Sequence, residues 1–185
     1  GLLDSVDDKM TMYFKNTSDE IYIIGHLKND IGSSEYVHKI VGEEFSSAPY
    51  FNLDEEFDMQ QLVMKLIQEK AIVSAHDISE GGLIVTLLES SFNKNLGFSV
   101  SQENKEIRKD AFWFGEAQGR VVVSVNEKMK ADFEKIVSES SVPVIKIGNV
   151  NEGGVNVDGQ AWGSVAEWKM IYNNAIAALL KGEVN

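Results

Sequence analysis

The chain contains no cysteine, which excludes a disulfide framework, a thiol nucleophile and a thiolate metal site. Basic residues are scarce: 17 Lys and Arg stand against 29 Asp and Glu, a formal net charge of −12. Such a chain has no broad basic surface for nucleic acid or an anionic membrane, though one local pocket could still hold an anion. No apolar run reaches the ~20 residues that span a bilayer, and Gly1-Leu2-Leu3-Asp4 is not a secretory signal. A cytoplasmic location is therefore expected. The three histidines, His26, His38 and His76, lie far apart, none with a partner at zinc spacing. There is no glycine loop ending in Gly-Lys-Ser or Gly-Lys-Thr, no Gly-x-Gly-x-x-Gly and no Gly-x-Ser-x-Gly elbow. A self-contained hydrolase, dehydrogenase or nucleoside triphosphatase is poorly supported. The remaining composition is that of an ordinary globular protein, and 185 residues suffice for one domain with a real core.

The chemistry that is present gathers at turns. Ala71-Ile72-Val73-Ser74 reads as a buried strand, and Leu83, Leu87 and Leu88 recur at helical spacing. Between them lies His76-Asp77-Ile78-Ser79-Glu80-Gly81-Gly82, a strand-to-helix turn. Gly81 and Gly82 let the backbone turn tightly, and the N–H groups at the start of the next helix suit an anion such as phosphate. Asp77, at the strand end, suits a hydrated Mg²⁺. The plainer reading stays open: Asp77 or Ser79 caps the helix and Glu80 complements its dipole. Gly32-Ser33-Ser34 forms a second glycine-serine turn. Gly115-Glu116-Ala117-Gln118-Gly119-Arg120, just before a Val-rich strand, is a third polar segment.

Strands are expected at Glu20–Gly25, Leu96–Ser101, Val121–Val125 and Val144–Gly148, with a loosely alternating one over Met10–Asn16 and a short one at Val155–Val157. Helices are expected at Tyr36–Val41, from Asp54 to about Gln68, from Leu83 to around Asn93-Lys94-Asn95, at Ile107–Gly115, at Glu127–Ser140 and at Val165–Lys181. The acids Asp54-Glu55-Glu56 are read as helix-dipole partners rather than as a metal cluster. Phe112, Trp113 and Phe114 are read as core or interface residues in preference to a base-stacking platform. Strands alternate with helices and short loops, so the fold class is α/β (α+β), a mixed sheet with helices packed on it.

Three segments resemble one family. Ser74-Ala75-His76-Asp77-Ile78-Ser79-Glu80-Gly81-Gly82-Leu83, Phe114-Gly115-Glu116-Ala117-Gln118-Gly119-Arg120 with the strand after it, and Ile31-Gly32-Ser33-Ser34-Glu35-Tyr36 match, in order and spacing, motifs of the phosphoribosylformylglycinamidine synthase family. The resemblance covers nearly the whole chain. It implies the second C-terminal domain of an enzyme built from two pairs of domains related to aminoimidazole ribonucleotide (AIR) synthetase, with that family's sandwich fold. Residues 1–9 would be the link from a preceding domain and residues 10–185 the domain itself. The reaction implied is the ATP-dependent conversion of formylglycinamide ribonucleotide, with glutamine-derived ammonia, to the amidine. ATP or ADP and Mg²⁺ are the implied cofactors. The partners implied are the upstream domains and an ammonia-supplying glutaminase, and the isolated domain would be inactive and prone to form a homodimer. By pseudo-symmetry Asp77 is the metal-binding counterpart and Glu116 and Gln118 are the substrate-binding counterparts, or this copy lines instead the second, pseudo-equivalent site that holds a structural nucleotide in large relatives. Phosphate recognition would rest on the backbone N–H groups of Gly32, Ser33, Ser34, Gly81 and Gly82. Ala117 stands where serine is common, and Ser33 replaces a glycine. The alternatives are a purely structural module of the same enzyme, or the matching domain of AIR synthetase, selenophosphate synthetase or thiamine-phosphate kinase.

Overall fold

A computed structural model describes residues 5, 6 and 9–182, so most of the expected 1–9 link lies outside the described residues. Seven strands form one sheet in the order β2-β4-β1-β5-β3-β6-β7. They are β1 (Glu20–Ile24), β2 (Ser74–Asp77), β3 (Gly97–Val100), β4 (Val121–Val125), β5 (Val144–Asn151), β6 (Gly154–Val157) and β7 (Gln160–Ser164). The β3–β6 pair is parallel and the other pairs are antiparallel, so the sheet is mixed as expected.

Five helices cover both faces: α1 (Leu53–Gln68), α2 (Gly82–Ser91), α3 (Lys109–Phe114), α4 (Lys130–Ser138) and α5 (Val165–Lys181). The period of two along β1 sends Ile21 and Ile23 to one face and Tyr22 and Ile24 to the other. Ile21 and Ile23 join Leu83 and Leu87 of α2, Phe112 and Trp113 of α3, and Val165 of α5. Tyr22 and Ile24 join Leu62 and Leu66 of α1 and Phe133 and Ile136 of α4. Both faces of β1 and β4 are thus covered, which is why both strands read as near-continuous apolar runs.

The helix starts carry their caps. Asn52 accepts from the N–H groups of Asp54 and Glu55, Asn126 accepts from Lys128 N, and Ser164 forms a reciprocal box with Glu167. Phe112 and Trp113 are buried, which places them in the core.

Several expectations shift. The strand expected at Ala71–Ser74 begins only at Ser74, because Ala71 N closes α1 by donating to Leu66 O and Ile72 fills the core as a connector. Met10–Asn16 forms no strand; Phe14 is buried, but its N–H donates to Ser90 O of α2. The helix expected at Tyr36–Val41 and ended by Gly42 is present, but Val37–Val41 is π-helical rather than α-helical. The edge strand β7 was not expected. Among the described residues no helix is long and apolar enough to cross a membrane.

Glu20 anchors the start of β1. Its carboxylate accepts from the Tyr22 hydroxyl at 2.6 Å, Lys146 Nζ at 2.5 Å and Lys130 Nζ at 3.0 Å. Burial raises its pKa, but the bonds from Lys146, Tyr22 and Lys130 outweigh that and hold it at about 2, below the ordinary 4.5. A carboxylate held low in the folded state stabilises fully above its ordinary value and loses that contribution as pH falls toward 2. Glu20→Gln is therefore expected to lower the melting temperature at neutral pH and to make the decline between pH 4.5 and 2 shallower. Thermal melts across that range check this; a decline of unchanged steepness contradicts it.

Candidate functional site

The strand-to-helix turn of residues 76–82, the hub turn, lies where β2 ends. Antiparallel pairing sets Asp77 opposite Val121, which brings the segment before β4 alongside the turn. Ile78 N donates to Arg120 O at 2.9 Å and locks the two together. Gly81, at φ +82°, is the N-cap of α2 in a left-handed conformation that glycine adopts without strain. Gly82, at φ +69°, packs so tightly that a Cβ there would meet the Phe114 backbone at 2.7 Å. The end of α3 is thereby pressed onto the start of α2.

One carboxylate oxygen joins three segments. Glu116 Oε1 accepts from Gly81 N at 2.9 Å and from Glu35 N at 2.8 Å. Glu35 follows the Gly32–Ser34 turn, so that turn is tied to the same point. Arg120 is buried beside it, donating through Nε to Ala117 O at 3.1 Å and through Nη2 to Gly115 O at 2.7 Å. Burial lowers its pKa to about 10, partly opposed by the charge of Asp30. Its guanidinium braces the Gly115–Arg120 loop from within.

A cleft of about 390 Å³ opens over these residues. Asp77, Ser79 and Glu80 line it from the hub turn, Glu116, Gln118 and Arg120 from the segment before β4, and Glu56 and Met59 from α1. Asp77 is exposed, and its carboxylate makes no hydrogen bond or ion pair among the described residues. Neither Asp77 nor Ser79 caps α2 through its side chain, so the plainer capping reading does not hold. Glu56 was not expected at a site, since its place in the acidic first turn of α1 signals only helix polarity. Its Oε2 is buried without a partner close to Gly119. Met59 was likewise missed, since nothing local in the sequence marks it as part of this cleft, whereas Arg120 closes the polar segment that the sequence singles out.

The sequence-derived candidates divide into two groups. Asp77, Glu116 and Gln118 line the cleft, while Gly81 and Gly82 form the turn at its edge. Gly32, Ser33 and Ser34 do not line it; they reach it through Glu35 alone. The amides expected to cradle a phosphate already have acceptors. Gly81 N donates to Glu116, Gly82 N to Ser79 O, Gly32 N to Asp30 Oδ1, Ser33 N to Ser46 Oγ and Ser34 N to Ile31 O. With four carboxylates facing one guanidinium that is turned inward, the cleft repels a bare anion and attracts a cation or a neutralised polyanion. Among the described residues, no three His, Asp or Glu side chains converge closely enough to hold a metal ion by themselves.

This mixed sheet with a strand–turn–helix cleft at the end of β2 fits the family model of AIR synthase related protein, C-terminal domain, over residues 17–159, and the chain belongs to that family. Among curated relatives it is 32% identical over 185 residues to phosphoribosylformylglycinamidine synthase subunit PurL of Alkaliphilus metalliredigens, covering 98% of this chain and 25% of that protein. It is 37% identical over 158 residues to the same subunit of Caldanaerobacter subterraneus, covering 85% and 21%. The chain thus spans about a quarter of the length of the curated relatives it matches. Its fold is shared with Thermotoga maritima PurL solved in complex with FGAR, at a TM-score of 0.69 and 14% identity, over 89% of this chain and 30% of that one. The same protein complexed with ATP gives 0.68 and 14%, over 89% and 28%.

The Glu116 bridge gives a direct test. Glu116→Ala leaves two backbone donors without their charged acceptor, at an expected cost of about 1.5–3 kcal/mol, while Glu116→Gln, which keeps an oxygen acceptor, costs less. Chemical denaturation of the three proteins measures this, and amide exchange at Gly81 and Glu35 should accelerate together in the alanine variant. Acceleration at one amide alone contradicts a shared acceptor.

Proposed function

We propose that this chain is the C-terminal domain of a phosphoribosylformylglycinamidine synthase subunit, and that its Asp77–Glu116 cleft forms one wall of an interdomain site for a Mg²⁺-bound nucleotide or substrate phosphate. The reaction of the whole polypeptide is then the ATP-dependent conversion of formylglycinamide ribonucleotide and ammonia to the amidine, with ammonia supplied by a glutaminase component. The relatives' shared identity as that subunit, and the FGAR and ATP complexes of the fold's solved representatives, support the substrate and nucleotide classes.

The observation that carries the site is the free carboxylate of Asp77 at the mouth of an acidic cleft whose other walls are braced from behind. A group held exposed with no structural partner is available to a ligand. Mg²⁺ keeps several waters and commonly takes only one or two carboxylates, completing its shell with phosphate oxygens, and this donor set fits that habit. When bound, the ion would neutralise phosphate charge that the cleft alone repels. Asp77 would hold it, and Gln118 would offer a neutral donor and acceptor to the ligand beside it. Glu116 acts as a positioning residue: its carboxylate keeps the Gly81–Gly82 and Gly32–Ser34 turns in place. Phosphate reaches the turn amides only if Glu116 yields Gly81 N–H.

A second reading is favoured by the complete internal use of those amides: the turns are structural, and the domain contributes packing alone. The two separate at Asp77. Asp77→Asn in the full-length polypeptide is expected to leave the melting curve unchanged and to reduce kcat/KM for the nucleotide about tenfold or more. Unchanged steady-state kinetics with a normal melting curve removes Asp77 from the site and leaves the structural reading.

A further inference from the structure

α5 is one amphipathic helix with two fates. Its first turns set Val165 and Trp168 against the domain's own core. Tyr172 follows on the same row, its ring 5.1 Å from that of Phe92 and its hydroxyl donating to Glu89 Oε1 at 2.8 Å. Four and seven residues further along lie Ile176 and Leu179, and these are 74% and 64% exposed. Leu180 beside them is 85% exposed. On the adjoining flank Met170 and Ile171, also exposed, edge a shallow groove of about 450 Å³ that includes the small residues Ala175 and Ala178. The helix carries its apolar stripe beyond the part that its own domain covers.

The composition is that of an interface centre. No charged residue occurs from Met170 to Leu180, and only Asn173, Asn174 and the Tyr172 hydroxyl are polar. Depletion of charge with enrichment of large apolar side chains marks the buried centre of protein interfaces. Ile176, Leu179 and Leu180 are exposed along the row that Val165, Trp168 and Tyr172 begin, and Leu179 also edges the groove with Met170 and Ile171, so the apolar surface is continuous from one to the other.

We propose that the stretch from Met170 to Leu180 seats another domain of the longer polypeptide to which this C-terminal domain belongs, through an apolar surface that fills the groove over Ala175 and Ala178. The inference rests on the multidomain reading above. The family is defined as a C-terminal domain, and the chain spans only about a quarter of its curated relatives, so the remaining polypeptide is the partner always present. A covalently tethered domain meets the helix at an effective concentration of order millimolar, which no free partner matches. A second copy of this chain is the weaker occupant, since it brings one net charge of −12 against another.

Amide hydrogen exchange over residues 170–180 tests the proposal, comparing the 185-residue chain with the full-length polypeptide, each also carrying Ile176→Glu with Leu179→Glu. Exchange should be about tenfold or more slower in the full-length polypeptide. The double substitution should erase that protection while leaving the melting temperature of the 185-residue chain unchanged. Equal exchange in both proteins overturns the proposal, as does protection that survives the double substitution. Protection that disappears when the full-length polypeptide is diluted to monomer assigns the face to a second copy and also overturns it. None of these outcomes depends on catalysis, so the kinetics of Asp77→Asn fail or succeed independently.

Discussion

Glu116 Oε1 is the point on which the cleft depends. By accepting from Gly81 N and Glu35 N it connects the hub turn, the serine turn and the loop before β4. Those segments are far apart in the chain, and backbone pairing alone fixes only two of them, through Ile78 N to Arg120 O. The carboxylate can serve both donors because Arg120, beneath it, spends its guanidinium on the carbonyls of Gly115 and Ala117 and holds the loop rigid. The close approach of Gly82 to the end of α3 completes the clamp.

The electrostatic consequence decides what kind of ligand fits. A glycine-rich turn before a helix ordinarily offers free N–H groups and a partial positive charge to an anion. Here the N–H groups are occupied from within and the surrounding side chains are acidic. Anion binding at such a place needs a counter-charge brought by the ligand or by another domain. A divalent cation held by Asp77, as proposed, would supply it, and on that proposal the cleft is part of a site rather than the whole of one.

Much of this was legible in the sequence, and the gaps have physical causes. β1 and β4 announced themselves because both faces of each are covered. α1 and α5 did so through Asn52 and Ser164 at their starts and through apolar periodicity. The Ala71-Ile72 run misled because burial was met by a connector rather than by strand pairing. β7 was hidden because an exposed edge strand, Gln160–Ser164, has no apolar alternation to show. At the site, the three polar segments could be recognised from their residue types, and the fold brings Asp77, Glu116 and Gln118 together. The occupation of Gly81 N could not be seen, since it depends on Glu116, 35 positions away, whereas Gly82, Gly32 and Ser34 find acceptors within their own turns. Glu56 was invisible for the same reason: the first turn of α1 signals helix polarity, and only the tertiary fold carries it to the cleft.

The most direct test of the central claim is anomalous diffraction from Mn²⁺ bound with a non-hydrolysable ATP analogue in crystals of the full-length polypeptide. The account predicts an anomalous peak about 2.1 Å from a carboxylate oxygen of Asp77, the usual separation for a small hard divalent ion. A nucleotide-bound Mn²⁺ located elsewhere, with Asp77 facing only solvent, would contradict it.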